Sequence, residues 1–167
     1  DSNDVALATN TLLRVESSEA LANLTGSGSL LLANGTLTLV GASLSSLTGI
    51  ASGSGALQRA GNGVLLLSGS NAFSGGVLLS NGLLRAGSGT PLGSGTLTLA
   101  GGTFSSDSTS ARTLPNPALL AGSAILGDSL NSGSLAFAGP IQLFTNSALQ
   151  LVSDVQFQGT LSSASPG

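Results

Sequence analysis

The sequence contains no cysteine, histidine, methionine, tryptophan or tyrosine. Without cysteine the chain can form neither disulfides nor thiolate metal sites, although this absence is compatible with export from the cell. Lysine is also missing, so its basic residues are Arg14, Arg59, Arg85 and Arg112, and the formal net charge is -3. Nucleic-acid binding requires an electropositive surface, which this composition does not supply. We therefore expect no nucleic-acid partner.

Charged residues are scarce, at 7% of the chain, against about 25% in an average soluble domain. The chain is 41% hydrophobic and its mean hydropathy is +0.43, the opposite of the balance that keeps a chain disordered. The 25 glycines follow no triplet pattern and there are only 5 prolines, which excludes collagen. The length of 167 residues suits one domain, which we place at residues 1–167.

Long apolar runs are absent as well. Runs such as Leu30–Leu32 and Val64–Leu67 are far too short to cross a bilayer as a helix, so we expect a chain that does not span a membrane. No charged segment followed by an apolar one opens the sequence, which begins at Asp1. We interpret it as a processed mature chain or an excised segment.

What is present is a series of short, alternating apolar segments. Glycine or Asn-Gly interrupts nearly every apolar run within a few residues, which is too often for a three-turn helix. Between these interruptions apolar and polar residues alternate, as in Thr36–Leu39, Thr96–Leu99, Ser134–Phe137 and Val155–Phe157. This pattern predicts short strands that each turn one face inward.

Internal repeats distinguish between the all-β architectures. Residues 56–63 return as 82–89, residues 34–41 return as 94–101, and residues 133–139 form a looser third copy. Repeats at such distances are typical of a solenoid or a propeller. A propeller blade needs four strands and usually has aromatic signatures, yet aromatics make up 3% here. We predict an all-β, single-stranded β-solenoid of seven or eight coils, about 20–25 residues each, forming a rod of about 35 Å.

Residues 56–104 resemble the autotransporter-associated β-strand repeat, also called the passenger-associated transport repeat. The resemblance rests on residues 61–76, which close on the turn Asn71-Ala72-Phe73-Ser74-Gly75-Gly76, and on residues 82–104. Residues 112–141 are also similar to these passengers, and residues 1–30 would form an N-terminal coil or cap. The resemblance implies a right-handed β-helix that is extracellular or on a bacterial cell surface.

Some β-solenoids cleave polysaccharides, and such enzymes need clustered carboxylates or a carboxylate with a base. Asp107, Asp128 and Asp154 follow one another at intervals close to one predicted coil, so they could lie on neighbouring coils with Arg112 nearby. The simpler interpretation is that each is a solvated turn residue. No histidine or lysine is present to activate a serine. We predict no catalytic residues and a protein that is not an enzyme.

Metal and sugar sites have little support in the sequence. The calcium-binding solenoid repeat needs an Asp after a Gly-Gly-x-Gly lead, which no turn supplies, so we expect no metal and no cofactor. The triplets Asn23-Leu24-Thr25 and Asn34-Gly35-Thr36 match the N-glycosylation pattern, which is common by chance. The Ser/Thr-rich stretch Ser105–Thr113 is the predicted long loop, where a sugar or a partner could bind.

Two further predictions concern charge. Arg59 and Arg85 occupy equivalent repeat positions, which predicts a stacked, exposed polar ladder or, alternatively, a contact with acids of another subunit. Four of the seven acids, Asp1, Asp4, Glu16 and Glu19, lie near the N-terminus and could guard one open strand edge. Residues 152–167 contain one charged residue, Asp154. The strand edge at that end is therefore poorly protected against pairing, which fits truncation or docking to another subunit.

Two functions remain open. In the first, the chain is a structural subunit of an extracellular fibre or surface layer that self-associates end to end, since head-to-tail contacts that do not close generate filaments. In the second, it is a stalk or adhesin fragment of an autotransporter passenger that binds a cell surface or a biofilm matrix. The scarcity of aromatics weakens a sugar-binding interpretation.

Overall fold

The chain forms a β-solenoid, seen in a computed structural model that describes residues 3–144 and 146–164. These residues contain 22 short strands and no helix, and therefore no helix that could cross a membrane. Every strand pairing is parallel, because each strand lies beside the strand one coil away. The all-β solenoid predicted from the repeats is confirmed.

Two sides of the solenoid are continuous sheets of eight strands each, so the rod has eight coils. The first sheet consists of β1 (Asp4–Leu7), β4 (Asn23–Gly26), β7 (Ser45–Leu47), β10 (Val64–Leu67), β12 (Leu83–Ala86), β14 (Thr103–Ser106), β17 (Ser123–Leu126) and β20 (Ala148–Leu151). The second sheet consists of β3 (Glu19–Leu21), β6 (Thr36–Leu39), β9 (Ala56–Arg59), β11 (Val77–Leu79), β13 (Leu97–Leu99), β16 (Ala118–Leu120), β19 (Ile141–Phe144) and β22 (Leu161–Ala164).

The third side is divided into two sheets of three strands. They are β2 (Leu12–Val15), β5 (Ser29–Leu32) and β8 (Ala51–Gly53), then β15 (Arg112–Leu114), β18 (Leu135–Phe137) and β21 (Val155–Phe157). Between them the amide of Asn71 replaces part of the ladder. Its Oδ1 accepts from the Ala51 N–H at 2.7 Å, and its Nδ2 donates to the Pro91 carbonyl at 2.6 Å. One side chain thereby connects three coils.

The length of a coil can be read from the strand register. Leu57 pairs with Val77, and Val77 pairs in turn with Leu97, so a typical coil takes about 20 residues. The spacing is shortest where Leu12 pairs with Ser29 and longest where Ser123 pairs with Ala148. The coil length and the coil number predicted from the sequence are both close to what the structure shows.

The core consists of ladders of inward side chains, one from each coil. One ladder of the second sheet runs through Glu19, Leu37, Leu57, Val77, Leu97, Ala118, Ile141 and Leu161. From Leu37 to Ile141 its members are at most 3% exposed. The neighbouring ladder runs through Leu21, Leu39, Arg59, Leu79, Leu99, Leu120, Leu143 and Ser163. Medium-sized aliphatics fill these positions because stacked coils leave little room between them.

Three phenylalanines contact one another in the C-terminal half of the rod. The ring centroid of Phe137 lies 6.2 Å from that of Phe104 and 5.6 Å from that of Phe157. Such separations are typical of favourable aromatic pairs. At a corner of the third side, Gly93 has a φ of +65°, and a Cβ there would lie 2.1 Å from the Phe73 carbonyl oxygen. Only glycine fits this close approach between coils.

The repeats do not all superpose on the same side. Residues 34–41 and 94–101 do lie in one sheet, as β6 and β13, whereas residues 133–139 contain β18 of the third side. The predicted equivalence of residues 56–63 and 82–89 is wrong, because β9 belongs to the second sheet and β12 to the first. The predicted long loop is also shorter than expected. Ser105 and Ser106 are buried in β14, and the loop covers only residues 107–111.

Candidate functional site

The acids that could have formed a catalytic cluster are held by arginines. The Asp107 carboxylate accepts from Arg112 Nη2 at 2.5 Å, and the Asp128 carboxylate accepts from Arg85 Nη2 at 2.6 Å. With its amide oriented to satisfy both neighbours, Asn131 would donate to the Asp107 carbonyl at 2.7 Å and accept from Arg85 at 2.9 Å, and would so join the two pairs. Asp154 does not take part and lies on the last coil.

This network favours the ionised form of Asp128. The backbone N–H of Leu130 and the Arg85 guanidinium together hold the pKa of Asp128 below its usual range. A carboxylate so held is a weak proton donor at neutral pH, whereas a general acid needs a pKa that is raised. The described residues contain no group of three or more acids placed to hold a metal ion. The arrangement suits fastening the loop of residues 107–111 to the rod.

Arg59 lies inside the core, not on the surface. Its side chain occupies the ladder position between Leu39 and Leu79 and is 0% exposed. The guanidinium donates to the carbonyls of Gly63 at 3.1 Å, Leu39 at 3.4 Å and Gly41. Burial lowers the pKa of Arg59. The predicted Arg59–Arg85 ladder is therefore wrong, because the two side chains belong to different sheets.

A shallow groove of about 650 Å³ lies on the outer face of the first sheet. Leu83, Thr103 and Ile125 lie in register along it, and the amides of Asn62 and Asn81 are hydrogen-bonded at 2.6 Å beside it. None of its lining residues is titratable. The groove can offer apolar contacts and hydrogen bonds but no acid or base.

The end of the rod formed by β20, β21 and β22 has exposed core positions. We call the inward side chains and open strand edges of these strands the C-terminal face. Leu151, Phe157 and Leu161 are 55%, 40% and 57% exposed, whereas the residues one coil away in the same ladders are at most 1% exposed. Among the described strands, each of these three has a hydrogen-bonded neighbour on one side only. The poorly defended end predicted from the sequence is thus an apolar surface.

The opposite end, formed by β1, β2 and β3, carries acids. We call its inward side chains and open edges the N-terminal face. Asp4 accepts from the Asn23 amide at 2.8 Å, Glu16 is paired with Arg14, and Glu19 accepts from Ser17 Oγ at 3.1 Å. Asp1 lies outside the described residues. The inward positions of this face are Val5, Leu7, Leu13, Val15, Leu21 and Glu19.

The two glycosylation triplets differ in accessibility. Asn23 is 9% exposed and donates its amide to Asp4, so it is not available to a sugar. Asn34, at a corner, is more accessible. Two features were not predicted from the sequence. They are the Arg85–Asp128 pair, whose members are 43 residues apart, and the inward position of Glu19. Counting back from Leu57 through Leu37 in coils of about 20 residues would have placed Glu19 in the core ladder.

Comparisons with protein-family models, curated proteins and solved structures find no match to this chain.

Proposed function

We propose that this chain is a non-enzymatic structural protein that joins end to end with further copies into an extracellular fibre. The observation that carries the proposal is the C-terminal face, where large apolar side chains of the core and three strand edges are open together. Open edges are templates for further strand pairing unless a protein blocks them. No charged residue lies in β20, β21 or β22 to do so.

The geometry of the two ends supports a head-to-tail contact. β20 and β1 are opposite edges of the first sheet, and β22 and β3 are opposite edges of the second. Stacking the C-terminal face of one copy on the N-terminal face of another would continue both sheets with the same parallel pairing. A contact of this kind repeats without closing, so it generates a filament.

The remaining parts of the proposal rest on other features. A non-enzymatic role is supported by the pairing of Asp107 and Asp128 with arginines and by a groove without titratable residues. The extracellular location and the kinship with autotransporter passengers rest on the repeat in residues 56–104. Partners other than a second copy would be a cell surface or a biofilm matrix.

The test compares the wild type with two lysine variants by electron microscopy and analytical ultracentrifugation at rising concentration. Leu161→Lys places a charge on the C-terminal face, where it should block assembly. Ile50→Lys is the matched control, because Ile50 is 55% exposed against 57% for Leu161 and lies in the third coil, away from both ends. We expect fibres from the wild type and the control, and single rods from Leu161→Lys. Single rods from the wild type at every concentration, at acid as well as at neutral pH, would overturn the proposal.

A second candidate is a stalk or adhesin fragment of an autotransporter passenger. It is favoured by the groove on the first sheet, whose elongated, uncharged lining could contact an extended ligand. In that case the purified chain would stay as single rods and would bind cells or biofilm polysaccharide. The substitution Ile125→Gln, at a position in register with Leu83 and Thr103, would weaken that binding.

A further inference from the structure

One residue of the N-terminal face does not match the surface that would stack on it. Glu19 lies at the ladder position occupied in the later coils by Leu37, Leu57 and their successors up to Leu161. Because side chains alternate between the faces of a strand, the register assigns Glu19 and Leu21 to the inner face of β3. Glu19 is exposed, since among the described strands β3 is the edge of its sheet.

Head-to-tail stacking would bring the following inward residues together. In the first sheet Leu151 of β20 would cover Val5, because both belong to one ladder. On the third side β21 would place its inward residues Val155 and Phe157 over β2, whose inward residues are Leu13 and Val15. At β22, Ser163 would cover Leu21 and Leu161 would cover Glu19. Five of the six inward positions are therefore apolar on the N-terminal face, and the sixth is a carboxylate.

We infer that the contact between two copies takes up a proton at Glu19, so that the fibre of the proposed function assembles at acid pH and weakens as the pH rises. This inference rests on the proposed function and adds its control. A carboxylate placed between apolar ladder residues loses its water, and a buried carboxyl group prefers the neutral form. The neutral form can keep the hydrogen bond to Ser17 Oγ that exists in the single rod.

No other group near Glu19 can take over this role. β6, the strand paired with β3, has no titratable residue, and neither does β22. The titratable groups of the described first coil are Asp4, which is bonded to Asn23, and the Arg14–Glu16 pair, both of whose side chains are exposed. Arg14 is already paired with Glu16, and it lies on the outward face of β2 by the same alternation.

The size of the effect follows from proton linkage. If the contact holds Glu19 neutral, each pH unit over which the side chain is ionised in the single rod weakens the contact by up to about tenfold. The sign is that of a group that is protonated in the assembled state: the contact is strongest at acid pH and is lost as the pH rises. Over about three such pH units the concentration needed for assembly should rise by up to about 1000-fold.

The experiment measures the critical concentration for assembly by light scattering and sedimentation from pH 4 to pH 8. The proteins are the wild type, Glu19→Leu, Glu19→Gln and the control Glu16→Gln, with circular dichroism to confirm that each is folded. Glu19→Leu restores the aliphatic of the later coils, and Glu19→Gln removes the charge at nearly constant size. Glu16→Gln removes one charge from the same end without changing an inward position.

We expect both Glu19 variants to assemble at pH 7.3 at a concentration at least tenfold below that of the wild type, with little dependence on pH. Glu16→Gln should keep the pH dependence of the wild type. A pH dependence unchanged in the Glu19 variants, or lost in Glu16→Gln, would overturn this inference and leave the fibre proposal standing. Absence of assembly in all four proteins at every pH would instead overturn the proposed function, and this inference with it.

Discussion

Replacing Arg59 with methionine should stabilise the protein, although it removes three hydrogen bonds. The guanidinium is completely buried, and the ion pairs among the described residues involve the other three arginines. Each carbonyl that it contacts also accepts from a backbone N–H. Gly61 N donates to the Leu39 carbonyl at 3.1 Å, Gly63 N to that of Gly41 at 3.3 Å, and Leu83 N to that of Gly63 at 3.1 Å. The substitution therefore leaves none of the three carbonyls without a donor.

The magnitude depends on two opposing terms. A hydrogen bond from a charged group contributes about 1.5–3 kcal/mol, and one of the three bonds is long, at 3.4 Å. Against this stand a desolvation penalty of several kcal/mol for the cation and about 0.8 kcal/mol for each additional buried methylene. Replacing buried charges by apolar groups of similar volume is often neutral or stabilising by about 1–4 kcal/mol. Since Met can pack between Leu39 and Leu79, we expect Arg59→Met to raise the free energy of unfolding by about 1–2 kcal/mol.

The matched variant is Arg59→Lys, which keeps the charge in the core. A lysine ammonium cannot reach three separate carbonyls with the geometry of a guanidinium, so this variant should lose about 2–3 kcal/mol. Urea unfolding followed by far-UV circular dichroism measures both, since the chain has no tryptophan. The two free energies are comparable only if each transition is a single cooperative step. A Met variant that is less stable than the wild type by more than about 1 kcal/mol, beside a Lys variant of unchanged stability, would refute this reasoning.

The remaining predictions use the same unfolding assay. Phe137→Ala should cost about 3–5 kcal/mol because its ring lies between two others, whereas Phe157→Ala, at an exposed end, should cost clearly less. Gly93→Ala should cost more than about 2 kcal/mol, since it is strained at φ +65° and would meet a carbonyl. Asp128→Asn should cost about 1–2 kcal/mol at pH 7. Because the pKa of Asp128 is lowered, its contribution is present above about pH 4 and is lost as the pH falls further, so wild type and variant should converge at acid pH.

Controls for these variants lie in the same chain. Gly89 has open space around its Cβ position, so Gly89→Ala should change stability by less than about 0.5 kcal/mol. Equal losses at Gly89 and Gly93 would show that the close approach of the coils is not the cause. A constant difference between wild type and Asp128→Asn from pH 7 to pH 2 would contradict the assignment of a lowered pKa.

The strands could be predicted because the alternation of inward and outward residues is visible within each short segment of the sequence. Thr36–Leu39 alternates inward and outward residues as β6 does, and the predicted strand Val155–Phe157 is β21. The repeat that begins at residue 34 returns at residue 94, a distance of three whole coils, so both copies lie in one sheet. The repeat that begins at residue 56 returns at residue 82, which is one coil plus a corner. That distance carries the copy onto the next side, a difference that similarity of residues alone does not reveal.

The contacts of the candidate site residues were less predictable, because no pattern in the sequence marks which residues they contact. Arg112 was expected near the acids, and it does pair with Asp107, a close neighbour in the chain. Arg85 and Asp128 meet only because a particular number of residues separates their coils. The burial of Arg59 depends on backbone carbonyls, which every residue possesses and no pattern of side chains marks. Charged residues are rarely buried without an ionic partner, so this general rule predicted a surface position for Arg59.

The regular register has a consequence for the length of the molecule. Since Val77 lies directly beside Leu97, removing residues 77–96 would join Gly76 to Leu97 and leave Leu57 beside an equivalent leucine. Similarly, β10 would meet β14, and Leu65 would lie on Phe104. The rod would shorten by one strand spacing, about 4.8 Å, with its sheets unbroken. In a protein built in this way, the length of the rod can change in steps of one coil, through gain or loss of about 20 codons at a time.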